Sequence, residues 1–158
     1  MAIYNTTAHK VCFVCTGNTC RSPAAEIIFR EKLAERLSVP VSELAKAGYV
    51  SLSAGIAAFP GQPISEGSRV TLEKLGYNAA EHKSQGLEQD LLAEVDRIVV
   101  MTARHADAIN QRFPGHEHKI QLLDPDGISD PFGGTEDEYE VTIAQISKAI
   151  DSLIERLL

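Results

Sequence analysis

A short buried strand that runs into a loop and then a helix limits how this chain can fold more than any other feature. Residues 11–14 read Val-Cys-Phe-Val, an apolar run of the kind that fills a sheet interior. Ser22-Pro23 follows; serine is a favoured helix N-cap and proline a favoured first helical residue. Ala24, Ile27, Ile28 and Ala34 then recur at helical spacing, which predicts a helix to about Leu37. The stretch Cys15-Thr16-Gly17-Asn18-Thr19-Cys20-Arg21 therefore lies between a strand end and a helix N-terminus. The unpaired N–H groups and positive dipole end of a helix make such a place suited to an anion.

The remaining elements alternate in type. Tyr49–Ala54 reads as a second strand, residues 55–64 as a loop, and Ser65–Leu75 as a helix ending at Gly76. Leu87–Ala93 is a short helix, Arg97–Met101 a third strand, residues 103–113 a helix and Lys119–Leu123 a fourth strand. Residues 124–134 carry no regular pattern. Thr135–Leu158 closes the chain as an amphipathic helix, with Ile143, Ile146, Ile150, Leu153 and Leu157 on one face as core packing. Alternating strands and helices predict an α/β fold with a parallel sheet, and ligands in such sheets bind beyond the strands' carboxyl ends. With 158 residues and no repeat or linker, residues 1–158 are expected to form a single domain.

Composition narrows the partners. The formal net charge of −7 leaves no basic surplus for non-specific nucleic-acid or anionic-membrane binding. No apolar run approaches the roughly 18 residues of a membrane span. The leading MAIYNTTAHK lacks the charged start and apolar middle of a signal peptide. A cytoplasmic location is expected, where three clustered cysteines serve as reactive or ligating thiols rather than as a disulfide framework.

All three cysteines fall within residues 12–20, and each arrangement of them predicts a different chemistry. Cys12, inside the strand run, reads as a small core hydrophobe. A zinc cage from His9, Cys12, Cys15 and Cys20 would leave Arg21 without a job and needs turns where a strand is expected. A redox pair Cys12-Phe-Val-Cys15 belongs at a helix N-terminus, but the helix starts several residues later. A Walker A loop needs more glycine, and lysine in place of arginine. A C-x5-R phosphate cradle uses every residue. Backbone N–H groups of Thr16 to Cys20 can wrap a phosphoryl group, Arg21 can clamp it in bidentate fashion, and the helix dipole adds field. The same field favours a thiolate at Cys15, which makes it a nucleophile in place. Gly17 permits the tight turn, Asn18 suits a left-handed backbone position, and Ser22 can donate to the Cys15 sulfur.

At this point the chain resembles the low-molecular-weight protein tyrosine phosphatase family, through VCFVCTGNTCRSP, Ser53-Ala54-Gly55, His82 before a Ser-Gln pair, Met101 ending the third strand, and Asp130-Pro131-Phe132. The resemblance implies a Rossmann-like four-stranded parallel sheet with helices on both faces, no metal or other cofactor, and a cysteinyl-phosphate intermediate. It implies Cys15 as nucleophile, Arg21 as phosphoryl ligand, and Thr16, Gly17, Asn18, Thr19, Cys20 and Ser22 as the rest of the phosphate loop. Ser53 and His82 match the side chains that brace Asn18. Cys20 matches a thiol that can form a reversible disulfide with the nucleophile. The expected partners are phosphorylated protein substrates, with inorganic phosphate or other oxyanions in the active site.

A single carboxyl can protonate the leaving group and later deprotonate water. The residues alone offer Asp124-Pro125 and Asp130-Pro131; the family pattern Asp-Pro-aromatic selects Asp130 and leaves Asp124 as a turn residue. Phe59 and Phe132 would wall the substrate slot, stacking on a phenol or a guanidinium plane alike. Thr19 stands where tyrosine-specific members carry a bulky aliphatic residue. With Asp-Pro-Phe-Gly-Gly it resembles the protein arginine phosphatase branch, so phosphoarginine is the expected substrate and phosphotyrosine the alternative. An arsenate reductase of the thioredoxin-coupled kind needs two further cysteines that this chain lacks. A silent phosphopeptide-binding module would not need Cys15, Arg21 and Asp130 together.

Overall fold

The computed structural model describes residues 8–158. The signal-peptide reading rests mainly on residues 1–7, which lie outside them. Strand β1 spans His9–Cys15 and so extends beyond its apolar run at both ends. The backbone drives the extension, because His9 and Lys10 pair in register with Tyr49 and Val50 of β2, Tyr49–Gly55. On its other side β1 pairs with β3, Arg97–Val100, which pairs in turn with β4, Ile120–Leu122. All pairings are parallel and the order is β2-β1-β3-β4, the four-stranded sheet expected.

Side chains alternate across β1, as strand geometry requires. Val11, Phe13 and Cys15 enter one core layer with α1, Arg21–Arg36, and α5, Glu136–Leu157. Cys12 and Val14 enter the other, with Leu92 of α3, Gln89–Glu94, and Ile109 of α4, Ala103–Arg112. Helices thus cover both faces. Phe13 and Phe29 tie α1 to the sheet, their ring centroids 5.4 Å apart at 60°, a tilted arrangement that ring quadrupoles favour. Ile143, Ile146, Ile150 and Leu153 are buried along α5, as their spacing predicts, and Leu157 packs partly buried at the end of the stripe. Helix α2, Glu66–Lys74, ends where Gly76 predicts. Gly76 adopts φ 88°, and the N–H groups of Gly76 and Tyr77 return to the carbonyls of Glu73 and Leu72, a Schellman closure.

Two expectations are corrected. Helix α1 begins at Arg21 with Cys20 as its N-cap, so Ser22 is not the cap and Pro23 is the third helical residue. The reason is that the Ser22 hydroxyl is taken by Cys15 and Asn18; proline is still tolerated, because first-turn N–H groups lack helical partners. Lys119 does not open β4 but ends a short 3-10 turn over Glu117–Lys119. Its ammonium donates to the Leu92 carbonyl at 2.7 Å, which draws it out of strand register. Among the described residues no helix is long and apolar enough to cross a membrane.

Strand β1 lies between β2 and β3, so successive crossovers leave it in opposite directions and a crevice opens at its carboxyl end. Gly55 of β2 pairs with Cys15 there. A Cβ on Gly55 would stand 2.6 Å from the Thr16 carbonyl oxygen and 3.0 Å from the Asn18 nitrogen, both backbone atoms. Gly55→Ala should therefore cost about 1–3 kcal/mol in denaturant unfolding, the usual penalty for overpacking. An unchanged midpoint would show that the loop can give way.

Candidate active site

The site is built on a strand end. Cys15 is the last residue of β1 and only 2% exposed. The next residues turn back on themselves through Asn18, whose φ of 56° is left-handed and unusual for a side-chain-bearing residue. Asn18 is fully buried and every polar group of its side chain is used. Its Oδ1 accepts from the Gln85 N–H at 2.9 Å. Its Nδ2 donates to Ser22 Oγ at 2.8 Å and to Ser53 Oγ at 2.9 Å. His82 Nε2 donates to the Asn18 carbonyl at 2.7 Å. Both bracing residues expected from the sequence are thus in contact with the loop.

These donors leave each serine one proton to give. Ser22 Oγ accepts from Asn18, and its proton has two acceptors in reach, the Ala54 carbonyl at 3.5 Å and Cys15 Sγ at 2.9 Å; a Cys15 thiolate, which can only accept, takes it. Ser53 likewise donates onward to Glu26 Oε1 at 2.5 Å. Burial pushes the Glu26 carboxyl up from its ordinary range, against the opposing pull of Ser53, Arg30 and His82.

Arg21, 6% exposed, donates through Nη1 to the Ile128 carbonyl at 2.9 Å, while Nη2 lies 3.6 Å from Asp130 Oδ2. Ile128 is itself tied to the end of β3 by its N–H to the Met101 carbonyl. The irregular 124–134 segment is therefore anchored where it meets the loop. Asp130 is half exposed, and its Oδ1 accepts from the Phe132 N–H at 3.1 Å. Asp124 points elsewhere: it closes a turn with Asp126 and accepts from Gln145. Phe59 and Phe132 are both exposed, on the segments that follow β2 and Asp130. Thr19 is half-buried and its carbonyl accepts from the Ser65 N–H.

The three thiols are free and differently placed. Cys12 and Cys15 enter opposite core layers, so they form neither a pair nor one ligand set. Burial pushes the Cys12 thiol far up, as expected of inert packing. Cys20 Sγ faces Ser65 Oγ at 3.1 Å and the Tyr139 hydroxyl at 3.7 Å.

Gln85 also touches this network, and the sequence marks it only as part of the Ser-Gln pair after His82; Glu26, His105 and Tyr139 touch it too, and sequence reading passes over them. Of these three, His105 left a signal: it stands three residues after Thr102 at a helix start, where a side chain can reach back to the cap. Its Nε2 is 2.9 Å from Thr16 Oγ1. Burial, with Arg21 and Arg104 adding to it and Asp130 opposing, pushes the His105 imidazole down to about 4.

A family model described as "Low molecular weight phosphotyrosine protein phosphatase" matches residues 10–158. A protein-arginine-phosphatase of Geobacillus stearothermophilus is 33% identical over 155 residues, covering 94% of this chain and 96% of that protein. The low molecular weight protein-tyrosine-phosphatase PtpB of Staphylococcus epidermidis is 35% identical over 150 residues, covering 91% and 96%. Among solved structures, a YwlE arginine phosphatase mutant with a phosphorylated active-site serine superposes with a TM-score of 0.83 at 28% identity, covering 94% of this chain and 95% of that one.

The low His105 value has a consequence for stability. An imidazole held near 4 when folded and at its ordinary 6.5 when unfolded takes up its proton first in the unfolded state. Its contribution is thus complete above pH 6.5 and lost as pH falls toward 4. The wild-type stability advantage over His105→Gln should shrink across that window in denaturant unfolding. A difference that is flat with pH would contradict the buried neutral ring.

Proposed function

The chain belongs to the low molecular weight phosphotyrosine protein phosphatase family, and from that premise we propose that it is a single catalytic domain hydrolysing phosphorylated protein side chains through a phosphocysteine on Cys15, with phosphoarginine as its preferred substrate. The observation that carries this reading is the meeting of three groups at one strand end. The Cys15 thiol sits under a Ser22 hydroxyl at 2.9 Å, beside a buried Arg21 guanidinium whose Nη2 is 3.6 Å from the Asp130 carboxyl.

The phosphoryl oxygens bind the loop N–H groups of Thr16 to Cys20 and the Arg21 guanidinium. The Cys15 thiolate attacks phosphorus, an S–P bond forms, and the bond to the leaving nitrogen or oxygen breaks as Asp130 gives up its proton. Asp130, now a carboxylate, takes a proton from water, whose oxygen attacks phosphorus. The S–P bond breaks, phosphate leaves, and the returning Cys15 thiolate accepts from Ser22. Every step uses residues of the chain itself. Inorganic phosphate or another oxyanion in the cradle should compete with substrate.

Thr19 is the proposed substrate filter. A small hydroxyl side chain leaves room beside the phosphate for a planar guanidinium, against whose leaving nitrogen the protonated Asp130 carboxyl can lie before giving up its proton, the resulting carboxylate then pairing with the released guanidinium. The arginine phosphatase relative supports this choice. The exposed Phe59 and Phe132 suit a phenol equally well as slot walls, so phosphotyrosine is the second reading, in line with the PtpB relative. In a reducing cytoplasm the thiols stay free. Under peroxide, a Cys15 sulfenic acid can condense with the Cys20 thiol, releasing water and forming a protective disulfide, once Cys20 leaves Ser65 and Tyr139.

Three measurements check the reading. Cys15→Ser should abolish metal-free hydrolysis of para-nitrophenyl phosphate; full activity would remove Cys15 from the nucleophile's place. Asp130→Ala should slow phosphoenzyme formation by about 10²–10⁴-fold, as loss of a general acid does, with Asp124→Ala far milder; equal effects would reassign the acid. Thr19→Ile should turn preference from phosphoarginine toward phosphotyrosine proteins, and an unchanged ratio of kcat/KM would refute the filter.

A further inference from the structure

Thr16 and His105 meet at the rim of the loop, and no step above uses His105. Thr16 Oγ1 and His105 Nε2 are 2.9 Å apart. His105, nearly fully buried, is the third residue of α4, and its Nδ1 lies 3.2 Å from the backbone nitrogen of Thr102 and 3.0 Å from Thr102 Oγ1. A backbone N–H can only donate, so Nδ1 is the lone-pair nitrogen and the ring proton is on Nε2. That proton is donated to Thr16 Oγ1. It occupies one of the hydroxyl's two lone pairs and turns the Thr16 proton away from the ring.

The rest of Thr16 is equally constrained. Its carbonyl accepts from the Ala57 N–H at 2.9 Å, which holds the main chain against the segment after β2. Yet Thr16 is exposed, whereas its neighbour Cys15 and the loop residues Asn18 and Cys20 are buried. Its free lone pair and its proton therefore face whatever approaches the loop. The charged groups that bear on His105 are Arg21, Asp130 and Arg104, and the first two are the phosphoryl ligand and the general acid proposed above.

We propose that His105 is a positioning residue: its Nε2–H holds the Thr16 hydroxyl as a fixed polar contact for the substrate group attached to the transferred phosphoryl. In phosphoarginine that group is a guanidinium, whose N–H donors fit the free lone pair of Thr16 Oγ1. The inference rests on the phosphatase reading of the same site. Burial and Arg21 keep the ring neutral, so Nδ1 goes on accepting from Thr102 throughout the near-neutral range.

The test compares Thr16→Val, His105→Met, the double variant and His105→Gln, with kcat and KM measured on a phosphoarginine protein. Loss of one hydrogen bond should raise KM about three- to tenfold in Thr16→Val and in His105→Met, with kcat little changed. The double variant should be no worse than His105→Met, because His105 acts through Thr16. His105→Gln should restore KM, since glutamine at this helix position can accept from the Thr102 N–H and donate to Thr16. Additive losses, or a loss that persists in His105→Gln, would mean that His105 only caps α4, and would overturn the proposal. Long-range 1H–15N spectra of the wild type should show a neutral, Nε2-protonated ring at pH 7; an Nδ1-protonated or cationic ring overturns it whether or not His105→Met folds. A wild type that hydrolyses no phosphoprotein overturns the phosphatase reading and this inference with it. An active wild type matched by Thr16→Val overturns the inference alone.

Discussion

The site depends on the side-chain amide of Asn18. A loop that wraps an anion must leave its N–H groups to the ligand, so its backbone ties to neighbouring segments run through carbonyls, Thr16 to the Ala57 N–H and Thr19 to the Ser65 N–H. Asn18 adds side-chain ties from inside the turn, reaching Ser22 on α1, Ser53 on β2 and the Gln85 N–H, while His82 holds its carbonyl. Because the Gln85 N–H can only donate, the amide orientation is set: oxygen toward Gln85, nitrogen toward the two serines. That orientation propagates. Each serine accepts from Asn18 and keeps its own proton for a further acceptor: the Cys15 thiolate or the Ala54 carbonyl for Ser22, and Glu26 for Ser53. A buried network satisfied at each link is rigid, and stranding any one member costs about 1–3 kcal/mol.

The charges are arranged around this frame so that the cationic group is fixed and the anionic one is free. Arg21 is buried and anchored to the Ile128 carbonyl, which sets the plane of its guanidinium. Asp130 is half exposed on an irregular segment and meets Arg21 only at 3.6 Å. An ion pair of that kind contributes little in water, so an incoming oxyanion can take its place while Asp130 turns to the leaving group. His105 lies beside both charges without adding one, because burial holds it neutral. Neutrality lets it act as a donor of fixed direction rather than as a competing cation.

Much of this was legible in the sequence, for identifiable reasons. The alternation of apolar residues in β1 and the helical stripe of α5 are set by core packing, which leaves a periodic trace. C-x5-R is compact enough to read directly. A serine before proline looks like a cap; the C-x5-R loop already points the Ser22 hydroxyl at Cys15, but only the fold shows that Asn18 engages it as well and that Cys20 holds the cap position. Glu26 lies between apolar neighbours on α1, and nothing local indicates that its carboxyl turns to Ser53 on another element. His105 is 89 positions from Thr16, a pairing created by the β2-β1-β3-β4 order and by no motif. Apart from the local Asn18–Ser22 bond, what escapes sequence reading here is a polar contact between distant elements, because such contacts impose no periodicity.

The central claim is that Cys15 carries the phosphoryl group between two chemical steps. The most direct measurement mixes enzyme and phosphoprotein, quenches within the first turnover and maps the phosphoryl group by peptide mass spectrometry. A transient phosphoryl group on the peptide containing Cys15, at the Cys15 sulfur, is the predicted result. Phosphate released in one step with no modified peptide, or a phosphoryl group on any other residue, would contradict it.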